Sequence, residues 1–305
     1  MIVPDYPGIE YFLPSQRPRV TALDGRPLIV HVVLNVELWA FNQPMPRAIL
    51  PSPQGRSDVP DVCNFGWVDY GMRTGLPRLM AMLTSRNIPV TVSMNANVID
   101  HYAPAALAMR DAGWEFVGHG LSQKSLLADE DAAGTIKRTL DKIERFSGKR
   151  PRGWLGPGLQ ESPATPGQLL DEGVEFVLDW AIDDLPLWMQ VGPRWLLVVP
   201  YTLELNDSVL WAAHEYPSEE MYRRAVTTLD VFEPEMADQP RILTLALHPH
   251  LVGVPHRLPY LAKLLDLLRD RSDATFLTGS SIADWYASEH RPGLMLSTPA
   301  AGGAA

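Results

Sequence analysis

The feature that most constrains this chain is an alternation of short apolar runs with amphipathic stretches, several runs ending in residues that can carry chemistry. Leu28 to Leu34 is Leu, Ile and Val interrupted by His31. Such continuous apolarity belongs to a strand covered on both faces, because a half-exposed strand alternates instead. Pro89–Met94, Trp114–Val117, Gly153–Leu155, Glu175–Leu178, Trp195–Val199, Ile242–Leu247 and Ala274–Leu277 have the same character. Between them, Leu76, Leu79, Met80 and Leu83 recur at helical spacing, and Pro104–Ala112, Ser218–Phe232 and Leu258–Arg271 are predicted helices. The firmest helix runs from Asp129 to Phe146: Asp129 caps it, Ile136, Leu140 and Ile143 line one face, and Gly148 lies past its end. A long Pro-rich stretch, Asn42 to Tyr70, separates the first strand from its helix. Strands alternating with helices in about seven or eight units predict a parallel α/β barrel.

With 305 residues, 46% of them hydrophobic, the chain can fill one such barrel. We expect a single domain over 1–290 with an N-terminal extension, 1–26, and a flexible tail, 291–305, whose Gly, Ala, Pro and Ser cannot pack. The net charge of −10, without a basic stripe, excludes nucleic acid and anionic membrane as expected partners. A lone Cys63 can form neither an internal disulfide nor a structural zinc site, which fits a reducing cytoplasm. The first residues, Met1 to Pro7, lack a basic and apolar leader, and no run reaches the length of a membrane span.

In parallel barrels the chemistry sits on loops after the C-terminal strand ends. Four polar segments fall there: Asn35-Val36-Glu37, Gly118-His119-Gly120-Leu121-Ser122-Gln123, Asp179-Trp180 with Asp183-Asp184, and His248-Pro249-His250. They are expected to converge at one rim. Carboxylates and imidazoles gathered together suit hydrolysis, which needs a base for water, a stabiliser for the developing oxyanion and an acid for the leaving group.

In this order, and with Gly148-Lys149-Arg150-Pro151-Arg152-Gly153-Trp154, Asp183 to Trp188 and Val198 to Asp207, the segments resemble the polysaccharide deacetylase superfamily, the NodB homology fold. The resemblance covers about Pro27 to Trp285, is strongest toward the metal-independent allantoinase-like branch, and implies a distorted (β/α)7 TIM-like barrel. Metal-using members of the superfamily hold their ion with an Asp in the first motif and two His spaced i and i+4. Here the resemblance puts Trp39 at the metal-Asp position and Gln123 at the second His, leaving His119 alone. Too few ligands remain for a catalytic divalent ion, so no cofactor is expected. Zinc or another divalent metal held by Glu37, His119 and a third residue stays as an alternative.

On that basis the catalytic candidates are Glu37 as base, its pKa raised by partial desolvation, His119 as the group that polarises the carbonyl or orients water, and His248 as acid. From position alone, a capping or ion-paired carboxylate and a hydrogen-bonded core histidine explain Glu37 and His119 equally well. Gln123, Trp39, Trp154, Asp184, Trp188, Arg73 and His250 are the expected substrate-binding residues. Arg73 ends an aromatic and Gly-rich segment from Asn64 through Phe65 and Trp67, where it can grip a carboxylate with two parallel N–H bonds. His256, Asp179 and Arg152 receive no assigned role. After Glu37 the chain departs from the allantoinase pattern with Leu38-Trp39-Ala40-Phe41. The expected activity is metal-independent hydrolysis of a carbon–nitrogen bond in a small, cyclic amide such as a ureide, imide or lactam. A metal-dependent N-acetyl deacetylase and a non-catalytic ligand-binding barrel remain alternatives. The aromatic loops and the resemblance together point to a homo-oligomer, a tetramer or a dimer.

Overall fold

The computed structural model describes residues 7–51 and 59–292. Most of the expected tail, 293–305, and the first six residues lie outside the described residues. The frame is one nine-stranded sheet: β1 (Leu28–Val36), β2 (Thr91–Met94), β3 (Glu115–Gly118), β4 (Gly153–Trp154), β5 (Phe176–Val177), β6 (Leu187–Val191), β7 (Arg194–Val198), β8 (Arg241–Leu247) and β9 (Ala274–Leu277). Its order is β6-β7-β5-β4-β3-β2-β1-β8, with β9 added to the start of β1. All pairings are parallel except the β6–β7 hairpin. An isolated parallel bridge, Asn206 with Ala246, links the chain after β7 to β8, so the sheet curls toward closure.

Every residue of β1 is buried, as its composition requires. His31 belongs to that core: Nε2 contacts Thr91 Oγ1 at 3.0 Å, and burial pushes its pKa down to about 3, so it stays neutral. Nine α-helices among the described residues accompany the strands: α1 (Val62–Tyr70), α2 (Leu76–Thr84), α3 (Val98–His101), α4 (Ala103–Asp111), α5 (Ala132–Ser147), α6 (Thr165–Asp171), α7 (Glu220–Glu235), α8 (Leu258–Arg269) and α9 (Gly279–Glu289).

Local details differ from expectation. The Pro-rich stretch ends in α1, and a π turn, Gly71–Gly75, runs it into α2. Helix α5 starts later than predicted because Asp131 caps it, accepting the Gly134 N–H at 3.2 Å. Asp129 instead accepts from the Asp131 N–H and the Thr135 hydroxyl, while Gly148 ends the helix at φ 77°. The N-terminal extension packs on the barrel: Ile9 bridges Met189, Val20 is buried, and Arg17 chelates Asp183 at 2.9 and 2.5 Å.

Candidate active site

Three of the four polar segments meet in a cavity of about 320 Å³ at the C-terminal rim. β1 ends one residue before Glu37, β3 one before His119 and β8 one before His248; β8 lies beside β1 and β3 one strand beyond it, across β2, so the strand ends bring the three side chains together. Glu37 Oε1 lies 3.8 Å from His119 Nε2 and 3.5 Å from His248 Nε2. Its other oxygen accepts the Trp39 indole N–H at 2.7 Å. Burial pushes the Glu37 carboxyl up, but the imidazoles of His119 and His248 outweigh it and hold the group well below the usual carboxylate range. This corrects the expected upward shift: desolvation is real, yet the imidazoles facing the carboxylate decide the sign.

His248 is fixed by a residue with no role assigned from sequence. Asp207, fully buried, accepts the His248 backbone N–H and faces its Nδ1, both at 2.6 Å. Burial would favour the neutral ring, but Asp207 and then Glu37 push His248 up to about 10. Asp207 itself is pushed up by burial against the pull of His248, so one proton sits between them and the His248 Nε2–H faces Glu37. The His119 Nδ1 stands 2.5 Å from the Leu155 carbonyl, which can only accept; Nδ1 therefore carries a proton, and Nε2 is turned toward Glu37.

Asn95 braces this arrangement. Its Oδ1 accepts the Leu38 N–H at 2.9 Å and its Nδ2 donates to the His119 carbonyl, clamping the loops that carry Glu37 and His119. Asn35 Nδ2 donates to Tyr201 Oη at 3.0 Å and to the Leu247 carbonyl at 3.2 Å. The Tyr201 hydroxyl thus accepts from Asn35 and lines the cavity, while burial raises its pKa and keeps its proton. Tyr201 and Asp207 both lie in Val198–Asp207, so their segment was legible although their roles were not.

Of the expected substrate-binding residues, Gln123, Trp39 and His250 line the cavity, joined by Trp67. The Trp67 ring meets His250 at 4.6 Å and Trp39 at 6.1 Å, both edge to face. Burial, then the nearby His248, push His250 down to about 3, so it is a neutral wall. The others lie elsewhere. Trp154 is fully buried in the core with Ile136, Leu140 and Leu169, because β4 turns that side chain away from the rim. Trp188 donates to the His290 carbonyl at 2.9 Å from the β6 hairpin. Asp184 lines a separate cavity between β7 and β8, where burial raises its pKa. Arg73 turns outward to Asp69 at 2.5 Å. Arg152 pairs with Glu175 and Asp284, and His256 is exposed.

Asp179 is half-buried beside the loop forming one cavity wall, its Oδ1 accepting the Gly156 N–H at 2.7 Å. Burial and then neighbouring Glu161 raise its pKa well above the usual carboxylate range. Among the described residues, Arg47 from the Pro-rich stretch is the one arginine lining the cavity; its Nη1 donates to the Ser208 carbonyl at 3.0 Å and faces its hydroxyl at 2.9 Å. No composition or periodicity marks it.

Residues 65–177 match the polysaccharide deacetylase family model. That match runs from within α1 to the end of β5, a little over a third of the chain. Deacetylases of that family are hydrolases of carbon–nitrogen bonds other than peptide bonds. The chain is similar to a Schizosaccharomyces pombe protein described as a polysaccharide deacetylase, 26% identical over 241 residues that cover 73% of this chain and 75% of the relative. A Helicobacter pylori peptidoglycan deacetylase is 26% identical over 159 residues, covering 50% of this chain and 52% of that one. The crystal structure of PuuE allantoinase superposes with a TM-score of 0.79 at 23% identity, covering 90% of this chain and 95% of that one. The metal that deacetylases of this fold employ fits these residues poorly. Among the described residues no three His, Cys, Asp or Glu side chains are grouped to hold an ion. Trp39 and Gln123 occupy the positions where the resemblance expects the other ligands.

Proposed function

We propose that the protein hydrolyses a carbon–nitrogen bond of a small, cyclic amide without a metal ion. The observation that carries this is the Glu37, His248 and Asp207 chain, with the Trp39 indole N–H on the far oxygen of Glu37. A tryptophan there stabilises the carboxylate with a hydrogen bond and leaves its charge in place. Water held between Glu37 Oε1 and His119 Nε2 gives one proton to Glu37 as its oxygen attacks the carbonyl carbon. The Tyr201 hydroxyl supports the oxyanion. His248 Nε2 then protonates the leaving nitrogen, the C–N bond breaks, and Asp207 holds the ring in the productive orientation. A cavity of about 320 Å³ walled by Trp39, Trp67 and His250 suits a single ring better than a polymer strand. The expected self-association belongs to the same proposal: Met72, Leu76, Pro77 and Met80 of the π turn and α2 leave an apolar groove against α4. Light scattering tests it.

The deciding experiment is hydrolysis of a panel of ureides, imides, lactams and N-acetyl sugars, followed as the gain of one water by mass, with and without chelator. Turnover of a cyclic amide that survives chelation and falls by about a thousandfold or more in Glu37→Gln is the expected result. Chelator-sensitive release of acetate would instead establish the metal-dependent deacetylase. Ligand binding without turnover would establish the non-catalytic barrel.

A further inference from the structure

We infer that Arg47 forms an anion-accepting subsite at the cavity mouth, so that the substrate is a cyclic amide bearing a carboxylate; this rests on the hydrolase proposed above. Among the described residues lining the cavity, Arg47 is the one Arg or Lys. Elsewhere on the molecule arginines chelate carboxylates, as in Arg17 with Asp183, Arg86 with Asp266 and Arg152 with Glu175. Arg47 makes no ion pair with any described carboxylate. It is tied through Nη1 alone to Ser208, next to the Asp207 that braces His248. The tether fixes the head group beside the catalytic loop and leaves Nε and Nη2 for a planar, two-oxygen acceptor.

The electrostatics of the cavity call for that cation if the substrate is anionic. Glu37 Oε1 and Asp207 Oδ1 lie on either side of the His248 ring, so a carboxylate brought down to the catalytic floor would meet two others. The walls supply no compensation, since His250 is neutral and Trp39 and Trp67 are apolar. An anion is accommodated where Arg47 stands, at the rim, with the ring between the aromatic walls and the amide against Glu37. Arg73, expected from sequence to grip a carboxylate, is spent on Asp69, and the function it was assigned passes to Arg47.

Two matched pairs test this: dihydroorotate against dihydrouracil, and hydantoin-5-acetate against hydantoin, with the wild type, Arg47→Lys and Arg47→Met. Arg47 is exposed, so neither substitution disturbs a core. The wild type should prefer the carboxylate member of a pair by about tenfold or more in kcat/KM, a preference that shrinks with added salt. Arg47→Lys should keep part of it and Arg47→Met should abolish it. Hydrolysis of both members with no preference, or a preference unmoved by Arg47→Met, overturns the subsite while leaving the hydrolase intact. If neither member is turned over, calorimetric titration of each into the wild type and Arg47→Met decides. Arg47-dependent binding of the carboxylate member upholds the subsite and sinks the hydrolase, and no difference overturns the subsite.

Discussion

His248 sits between two carboxylates, and its protonation sets the behaviour of the site on the alkaline side. Folding pushes its pKa up to about 10 from an ordinary value near 6.5. The stability it contributes is therefore complete below about pH 6.5 and is lost as pH rises through about 10. Since only the protonated ring can serve as acid, kcat/KM should fall over the same upper limb. Asp207→Asn, which removes the partner charge at Nδ1, should move that limb down by about one pH unit or more and cut kcat/KM by at least about a hundredfold. An unmoved limb in a pH–rate profile would mean that His248 is not the acid. Glu37 works in the opposite direction. Held low, it is ionised at neutral pH, and the stability it contributes is present above the ordinary carboxylate value and lost as pH falls below it. Trp39→Phe deletes a hydrogen bond to the charged form, so the acidic limb of the profile should shift to higher pH.

Which elements were legible follows from how each buries itself. β1 and β8 announced themselves because strands covered on both faces must be apolar throughout. β6 escaped because it is a hairpin strand at the sheet edge with only two of its five residues buried, and Gln190 interrupts it. Trp154 misled for a related reason: in a two-residue strand the face a side chain takes is fixed by register, which the surrounding residues do not encode. Trp154→Ala should cost about 3–5 kcal/mol of stability in chemical denaturation, while the soluble fraction keeps the KM of the wild type. The π turn has a different task. Its Gly71 lies so close to the catalytic loop that a Cβ there would stand 2.5 Å from the His250 backbone nitrogen. Gly71→Ala should therefore displace the His248–Pro249–His250 loop and lower activity more than tenfold, about 1.4 kcal/mol in the barrier, with melting and kinetics measured together.

Across the whole molecule the first-rank residues could be grouped from sequence because a parallel barrel delivers successive strand ends to one rim. Contacts that depend on long closure could not. Arg47 reaches Ser208, and Arg17 reaches Asp183, across more than a hundred and fifty residues each. The same long closure explains why Asp183 and Asp184 missed the cavity: the first anchors the N-terminal segment and the second faces the seam between β7 and β8. Arg17→Met, which leaves Asp183 half-buried and unpaired, should destabilise the fold by about 3 kcal/mol in denaturant titration without changing kcat.

Strand β1 pairs with β2, β8 and β9 and delivers Glu37 at its end, whereas Arg47 stands within residues 37–51, which form no helix or strand. In amide-exchange terms, the proposed base is borne by a segment expected to open only when everything opens, and Arg47 by one that can open alone. Mutation can thus retune which molecules are admitted at little risk to the chemistry, so a lineage built on this barrel can change its diet while keeping its teeth.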